Sequence, residues 1–215
     1  MAAERWATFD CYGTLIDWNA GIRRELVRVF GEDRADAQLQ RYHQVEPALQ
    51  SDGERTYREV MTAAMGELGA PLGEEGGLVA ALPSWTPFQE VPAALEEART
   101  RGWKLAILSN TDRDLIEASL AEIGVPFELA VVASEIGSYK PAGAHWLRFF
   151  EETGASRNLH VHVAQSHYHD IVPAHDLGLR TIWINRYGER HEPRPSRELS
   201  DLSGLPDALD ELVPA

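Results

Sequence analysis

The sequence predicts an α/β fold in which helices flank a parallel sheet and a helical segment interrupts the strand pattern early in the chain. Short, nearly continuous apolar runs alternate with helix-length patterns along most of the 215 residues. This alternation is typical of βαβ units whose strands are buried on both faces. Between about residues 19 and 82, however, only helix patterns occur. A sheet with one helical insertion accounts for all of these observations.

Five apolar runs are predicted to be strands. They cover residues 6–9, 103–108, 129–132, 161–164 and 181–184. The helix patterns between them cover residues 92–101, 112–123, 141–152 and 170–177. Gly102, Gly124 and Gly178 directly follow three of these patterns, and glycine commonly terminates a helix. The charged, proline-bearing tail at 189–200 is predicted to be an exposed loop.

The early helical segment is predicted to form a subdomain of its own. Its helix patterns cover residues 20–30, 34–50, 54–68 and 75–82. Glycine- and proline-bearing turns separate the later ones. We therefore expect a core domain made of residues 1–17 and 85–215 and a cap subdomain made of residues 18–84.

Composition limits the classes of partner. The 20 basic and 34 acidic residues give a net charge of −14, which disfavours nucleic acid as a partner. An anionic substrate would need a local cationic clamp, and only Lys104 and Lys140 are lysine. No apolar run reaches the length of a membrane span, and no secretory signal is recognisable, so we expect no membrane partner and a cytoplasmic location. The single cysteine, Cys11, excludes an internal disulfide and a multi-thiolate metal site.

Polar side chains follow the predicted strands where each strand ends. Asp10 follows the first strand, Ser109 the second and Asp170 the fourth, while Lys140 precedes a predicted helix. Each alone could be a turn or helix-capping residue. Because ligands of open α/β sheets bind at the carboxyl ends of the strands, their common placement predicts an active site there.

Four motifs in this order resemble those of the haloacid dehalogenase superfamily. They are FDCYGTL at 9–15, LSN at 108–110, YKP at 139–141 and the segment that ends in Asp170. The resemblance covers nearly the whole chain. It implies a Rossmannoid core with a parallel sheet and a helical cap inserted after the first motif.

The first motif also distinguishes between branches of this superfamily. Tyr12 stands where the magnesium-dependent phosphatases carry a second aspartate, and Asp170 has no further acid directly after it. Without that acid and a metal, a phosphoryl transition state lacks its charge stabilisation. The pattern is similar to that of the metal-independent L-2-haloacid dehalogenases, which implies no cofactor. A magnesium-dependent phosphatase stays the alternative, and a receiver-like phosphoacceptor module is disfavoured by the helical insertion.

The resemblance implies a role for each matching residue. Asp10 would displace halide from a short 2-haloalkanoic acid or a haloacetate and form an ester, which water then hydrolyses. Lys140 would hold Asp10 ionised, Thr14 would orient it, and Asp170 would anchor Lys140 or activate water. The substrate carboxylate would bind Ser109 and backbone N–H groups near Cys11, Tyr12 and Asn110. Arg41, from the cap, would receive the halide. A homodimer is also implied.

Three positions depart from the best-known dehalogenases. Gln165 and His167 replace a serine and an asparagine, and Trp146 replaces a tyrosine. We therefore expect an altered pocket wall containing these three side chains, with His167 near the leaving group or the hydrolytic water. Five of the eight histidines lie between 160 and 175. His160 and His162 share a strand face, His167 and His169 lie in the following loop, and no thiolate partner is present. A metal site is therefore not expected. The halogen, the stereochemistry and the chain length of the substrate stay open.

Overall fold

Six parallel strands form the centre of the computed structural model, which describes residues 4–51 and 53–215. The strands are β1 (Arg5–Phe9), β2 (Trp103–Ser109), β3 (Leu129–Val132), β4 (His160–Ala164), β5 (Arg180–Ile184) and β6 (Arg197–Leu199). Their order across the sheet is β3-β2-β1-β4-β5-β6. The prediction of an α/β fold with a parallel sheet is confirmed.

The strand order creates a switch point beside β1. The chain adds β2 and β3 on one side of β1 and then returns to place β4 on its other side. Connections on the two sides run in opposite directions, and this opens a crevice beyond the carboxyl ends of β1 and β4. The motif residues after these strands are thereby brought to one edge.

Ten α-helices surround this sheet in the described part of the chain. They are α1 (Trp18–Phe30), α2 (Glu32–Gln50), α3 (Tyr57–Glu67), α4 (Gly77–Ala81), α5 (Val91–Thr100), α6 (Arg113–Ile123), α7 (Ala133–Ile136), α8 (Ala144–Thr153), α9 (Val172–Asp176) and α10 (Leu205–Leu212). Short 3₁₀ turns cover Leu82–Ser84, Arg157–Leu159 and Leu202–Gly204, and a π-helical turn covers His167–Ile171. None of the described helices is both long and apolar enough to cross a bilayer.

Most predicted element bounds differ from the structure by one to three residues, and three differences have a local cause. The tail at 189–200 contains β6, a three-residue strand with exposed Arg197 and Glu198, so it lacked an apolar signal. Helix α8 begins at Ala144 instead of residue 141, because the chain first makes a turn in which the Ala142 N–H donates to Tyr139 O at 3.0 Å. The pattern at 170–177 divides into the π-helical turn and α9.

Helices α1–α4 occupy the segment predicted as the cap. Asp17 begins α1 by accepting the Ala20 N–H at 3.1 Å, and Thr56 and Glu59 form a capping box at α3. Helix α1 packs closely against Trp85: a Cβ atom added to Gly21 would lie 2.5 Å from the Trp85 ring. The absence of a side chain at position 21 therefore sets how closely this segment approaches the rest of the chain.

The sheet buries apolar residues on both faces. Along β1, Ala7 and Phe9 belong to the larger core, whereas Trp6 belongs to a smaller cluster with Trp146 and Phe149 of α8. This alternation follows from the two-residue repeat of a strand. Helices thus cover both faces, and the carboxyl edge is left for the site.

Candidate active site

A cavity of about 480 Å³ lies between the carboxyl edge of the sheet and helices α1–α3. The strand ends and adjoining loops contribute Asp10, Tyr12, Ser109, Asn110, Lys140, Gln165, Ser166, His169 and Asp170. The helical segment contributes Trp18, Asn19, His43, Glu46, Pro47, Gln50 and Tyr57, and the loop after β5 contributes Tyr187 and Glu189. Most of the predicted site residues therefore meet in one place.

Lys140 is the cationic centre of the site. Its Nζ donates to Asp10 Oδ1 at 3.0 Å, to Asp170 Oδ1 at 2.7 Å and to the Leu108 carbonyl at 2.7 Å. Burial lowers the pKa of Lys140, but the two carboxylates outweigh burial and raise it above its ordinary value. The ammonium therefore stays charged and has three acceptors for its three protons.

Asp10 is held at both carboxylate oxygens. Thr14 Oγ1 donates to Oδ2 at 2.8 Å, while Lys140 binds Oδ1. The Asp10 N–H donates to Val163 O at 3.1 Å, which ties the residue to β4. Burial raises the pKa of Asp10 above its ordinary value, and Lys140 and Thr14 counter part of this shift. The carboxylate is thus fixed in orientation at the cavity.

Asp170 is the second buried carboxylate. It lies 1% exposed in the π-helical turn, and its Oδ1 accepts from both Lys140 and His162 Nε2, the latter at 3.0 Å. Burial raises the pKa of Asp170, but Lys140 and the His162 hydrogen bond outweigh burial and lower it to about 2. Its Oδ2 is buried without a hydrogen-bond partner among the described residues. This oxygen can therefore accept a proton or a hydrogen bond from water.

A chain of hydrogen bonds extends from Asp170 beneath the sheet edge. Thr8 Oγ1 lies 2.8 Å from His162 Nδ1 and 2.8 Å from His160 Nε2. Because the Asp170 carboxylate can only accept, His162 Nε2 carries a proton, and in neutral His162 the Nδ1 accepts from the Thr8 hydroxyl. Thr8 then accepts from His160 Nε2. Burial lowers the pKa of His160 well below its ordinary value, which keeps that ring neutral.

Ser109 supplies an unused donor at the cavity. Its Oγ is buried and has no partner within the described residues, and a buried polar atom without a partner is costly unless a ligand satisfies it. The Asn110 side chain is already occupied, since its Nδ2 donates to Lys140 O at 3.0 Å and its Oδ1 accepts the Lys140 N–H at 2.7 Å. Asn110 therefore positions the Lys140 backbone.

Two residues of the first motif differ in their surroundings. Tyr12 lines the cavity, stacks on Tyr57 with ring centroids 6.0 Å apart, and its hydroxyl lies 3.1 Å from Ser119 Oγ. The Cys11 side chain is fully buried in the core and does not line the cavity. Burial raises the pKa of its thiol well above the ordinary value, so Cys11 is a neutral core residue. The predicted role of its backbone N–H stays a prediction.

The predicted altered wall is only partly present, because Gln165 lines the cavity but Trp146 and His167 do not. Trp146 is fully buried beneath the site, with its ring edge-on to His162 at 5.1 Å. His167 points toward the tail and donates from Nε2 to Pro193 O at 2.9 Å. Gln165 also contacts the first motif, because its backbone N–H donates to Thr14 Oγ1 at 2.9 Å.

Arg41 also lies away from the cavity, contrary to the sequence expectation. It is exposed on α2, whereas His43, Glu46, Pro47 and Gln50 form the face of that helix that lines the cavity. An α-helix turns about 100° per residue, so Arg41, two positions before His43, lies on the opposite side.

Sequence reasoning missed this cavity-lining face of α2. His43, Glu46, Pro47 and Gln50 recur at the i, i+3, i+4, i+7 spacing of one helix face. Three polar residues at this spacing in a predicted cap helix, His43, Glu46 and Gln50, were the available signal. Glu46 is 6% exposed, and its Oε1 accepts from Gln50 Nε2.

The electrostatics of the cavity differ from the expected cationic clamp. The lining includes four carboxyl groups, from Asp10, Glu46, Asp170 and Glu189, and one ammonium, from Lys140. That ammonium is shared by two of the carboxylates. Within the described residues, no group of three or more histidine, cysteine or acidic side chains is arranged to hold a metal ion.

The comparison with protein families identifies the chain. A family model for haloacid dehalogenase-like hydrolases matches residues 5–171. The chain belongs to this hydrolase family. The matched residues include Asp10, Ser109, Lys140 and Asp170, which line the cavity.

Relatives within the family include dehalogenases. The (S)-2-haloacid dehalogenase of Pseudomonas sp. (strain YL) is 29% identical over 216 residues, which cover 94% of this chain and 93% of that protein. The crystal structure of the L-2-haloacid dehalogenase RSc1362 superposes with a TM-score of 0.86 at 22% identity and covers 97% of this chain and 100% of that one. The L-2-haloacid dehalogenase from Xanthobacter autotrophicus with chloropropionic acid covalently bound has a TM-score of 0.82 at 20% identity, covering 96% and 98%.

Proposed function

We propose that this hydrolase removes halide from 2-haloalkanoic acids and haloacetates, forming 2-hydroxy acids through an ester on Asp10. The observation that carries the proposal is the pair of contacts that hold the Asp10 carboxylate, from Thr14 at Oδ2 and from Lys140 at Oδ1. A fixed, ionised carboxylate is a competent nucleophile toward an sp³ carbon. The relatives named as 2-haloacid dehalogenases support this reaction over other hydrolyses.

In the first step, an Asp10 oxygen attacks C2 of the substrate. The new C–O bond forms as the carbon–halogen bond breaks, the halide leaves with the bonding electron pair, and C2 inverts. The substrate carboxylate would accept from Ser109 Oγ, which has no other partner in the described residues. Because Arg41 faces outward, the halide would meet N–H groups of Trp18 and Asn19, which line the cavity. The N–H of His43 is already donated to Asn19 Oδ1 at 2.8 Å.

In the second step, water hydrolyses the ester. The free Asp170 Oδ2 would take a proton from water as its oxygen attacks the Asp10 carbonyl carbon. The bond between that carbon and the product oxygen then breaks as the proton held by Asp170 passes to the departing oxygen. The 2-hydroxy acid leaves with an oxygen that came from Asp10, and both Asp10 and Asp170 are carboxylates again. Lys140 would hold the two side chains in place throughout.

A magnesium-dependent phosphatase is the less favoured alternative. That reaction needs a carboxylic acid two positions after the nucleophile, where this chain has Tyr12. Burial raises the pKa of the Tyr12 phenol far above its ordinary value, and its hydroxyl is engaged with Ser119. Tyr12 is therefore a cavity wall here. A homodimeric assembly rests on the resemblance, and the cytoplasmic location stays an expectation from the sequence.

The test is halide release measured by ion chromatography. L-2-chloropropionate and chloroacetate are incubated with the protein in the presence of a chelator, and a phosphomonoester with magnesium serves as the comparison. Halide release with chelator supports the proposal. Phosphate release without any halide release would overturn it.

A single-turnover reaction in ¹⁸O-water, with enzyme in excess, tests the ester. The product of the first turnover should be unlabelled, and mass spectrometry should find the label in the peptide that contains Asp10. Label mainly in the first-turnover product would contradict an ester intermediate.

A further inference from the structure

The cap-facing half of the cavity contains a buried carboxyl group that the reaction does not use. Glu46 lines the cavity from α2 and is 6% exposed. Its described hydrogen-bond partner is the neutral amide of Gln50 on the same helix. A carboxyl group in this position would repel a second anionic group, so it disfavours a purely anionic occupant.

The surroundings of Glu46 allow it to carry charge near neutral pH. Burial raises its pKa to about 7. The titratable groups nearest to it are the phenols of Tyr42, on its own helix, and of Tyr57, on α3, and burial raises both of their pKa values well above the ordinary value. His43, three positions earlier on the same face of α2, has its pKa lowered by burial. The phenols and the imidazole are therefore neutral near pH 7, and Glu46 is the group whose charge changes there.

Aromatic rings line the same space. Trp18 and Tyr57 border the cavity from the helical segment that carries Glu46, and Tyr12 stacks on Tyr57 from the strand side. Tyr187 and Glu189, from the loop after β5, also border the cavity. Aromatic faces attract cations through the ring quadrupole, and cages of such rings bind alkylammonium groups. Aromatic rings with a buried carboxyl group are therefore complementary to a positive charge.

The part of the cavity near Ser109 fits a different chemical group of the ligand. Ser109 is 1% exposed and borders the cavity, and its Oγ has no described hydrogen-bond partner. A hydrogen-bond acceptor on a bound ligand would satisfy this hydroxyl. The cavity volume of about 480 Å³ lies within the range that holds drug-sized ligands. A haloacetate would leave much of it empty.

We infer that the half of the cavity formed by Glu46 and the aromatic rings binds an alkylammonium group of the substrate, so that the preferred substrates are zwitterionic 2-haloacids. The inference rests on the proposed dehalogenation for the reacting end of the molecule. The carboxylate and C2 lie at Ser109 and Asp10, and the cationic tail reaches Glu46. Short haloacids lack this tail and use only part of the site.

The test compares two substrates that differ in one charge. They are 2-chloro-4-(trimethylammonio)butanoate and its neutral isostere 2-chloro-5,5-dimethylhexanoate. We expect kcat/KM for the cationic substrate to exceed that for the isostere at least tenfold at pH 8. Because the quaternary ammonium does not titrate, this ratio should fall as the pH is lowered through 7 and Glu46 becomes neutral. A ratio near one at pH 8 would overturn the inference.

Two matched variants locate the effect. Glu46→Gln should lower the ratio of the two kcat/KM values at least tenfold, mainly through KM for the cationic substrate, and should remove its pH dependence. Asp33→Asn removes an equal charge from the exposed side of the same helix and should keep the wild-type ratio. If both variants keep the wild-type ratio, Glu46 does not bind the cation.

A binding measurement separates this inference from the proposed function. Isothermal titration calorimetry of the wild-type protein with halogen-free 4-(trimethylammonio)butanoate and 5,5-dimethylhexanoate requires no halide release. Tighter binding of the cationic compound supports the alkylammonium site even if no haloacid is turned over. Equal affinities, or no binding of the cationic compound, would contradict it, whereas halide release from chloropropionate would leave the dehalogenase proposal standing.

Discussion

Lys140 Nζ lies 3.0 Å from Asp10 Oδ1 in a pair that is almost completely removed from water. The same ammonium holds Asp170 at 2.7 Å. Two carboxylates this close repel each other when both are ionised. In the proposed reaction, the single positive charge between them would allow Asp10 to act as the nucleophile while Asp170 stays available as a base.

Removing that charge should damage both folding and the pH profile. Lys140→Met leaves two buried carboxylates unpaired, which we expect to cost about 3–5 kcal/mol of unfolding free energy. Since Lys140 lowers the pKa of Asp10, its loss raises that pKa, and the acid limb of kcat/KM should move to higher pH. Urea unfolding and a pH profile measure these effects. The control is Lys104→Met, which removes the other, more exposed lysine; equal effects of the two variants would contradict this account.

Ser109→Ala should separate binding from stability. The variant removes a buried hydroxyl with no described partner, so we expect unfolding free energy to change by less than about 1 kcal/mol. Loss of a hydrogen bond to a charged carboxylate should raise KM for chloropropionate by roughly tenfold to a hundredfold. Steady-state kinetics and urea unfolding test both parts, and an unchanged KM would show that Ser109 does not bind the substrate.

His162 should control the behaviour of Asp170 at low pH. The pKa of Asp170 is lowered to about 2 in the folded protein from an ordinary value of 3.8. Such a group adds stability that is complete above pH 3.8 and is lost as the pH falls through about 2. His162→Phe removes one cause of the lowering, so less stability should be lost on going from pH 5 to pH 2.5 than in the wild type.

The same substitution should shift the acid limb of kcat toward higher pH, because Asp170 must be ionised to accept a proton. His162→Gln, which can still donate to Asp170, should restore much of the wild-type profile. Identical profiles for the phenylalanine and glutamine variants would indicate that His162 acts through packing alone.

Glu46 should give the opposite pH dependence of stability. Its pKa is raised from 4.5 to about 7 on folding, so the folded state binds the proton more tightly than the unfolded state. The unfolding free energy should therefore decrease as the pH rises from 4.5 to 7, by about 3 kcal/mol. Urea unfolding at intervals between pH 4.5 and 8 should show this decline in the wild type but not in Glu46→Gln. Parallel curves for the two proteins would refute a buried, titrating Glu46.

Arg41→Ala tests whether Arg41 lies outside the active site, as its exposed position on α2 indicates. Because Arg41 lies on the exposed side of α2, we expect kcat and KM for chloropropionate to stay within about twofold of wild type. Trp18→Ala, which alters the lining of the cavity, should reduce kcat more strongly than Arg41→Ala. A large loss in Arg41→Ala alone would show that this arginine reaches the halide.

The meeting of Asp10 and Asp170 could be predicted because parallel strands bring their carboxyl ends to one edge. Lys140 precedes a predicted helix, and its motif associated it with the same site. The chain of hydrogen bonds through Thr8 could not be predicted from the sequence in this way. Thr8 is in register with His162 across β1 and β4, and a sequence shows the histidines without their pairing. Tertiary packing also decided the rotation of α2, where burial of Tyr42 turns Glu46 inward. For that reason Arg41 was assigned to the wrong side of the helix.

The insertion of α1–α4 between β1 and β2 places the proposed reacting groups and part of the substrate contact surface in different segments of the sequence. Asp10, Lys140 and Asp170 come from the strand ends and adjoining loops, while Glu46, Trp18 and Tyr57 come from helices that do not take part in the strand pairing. Exchange of residues 18–84 between two such hydrolases would thus transplant the choice of substrate and leave the bond-breaking atoms where they are.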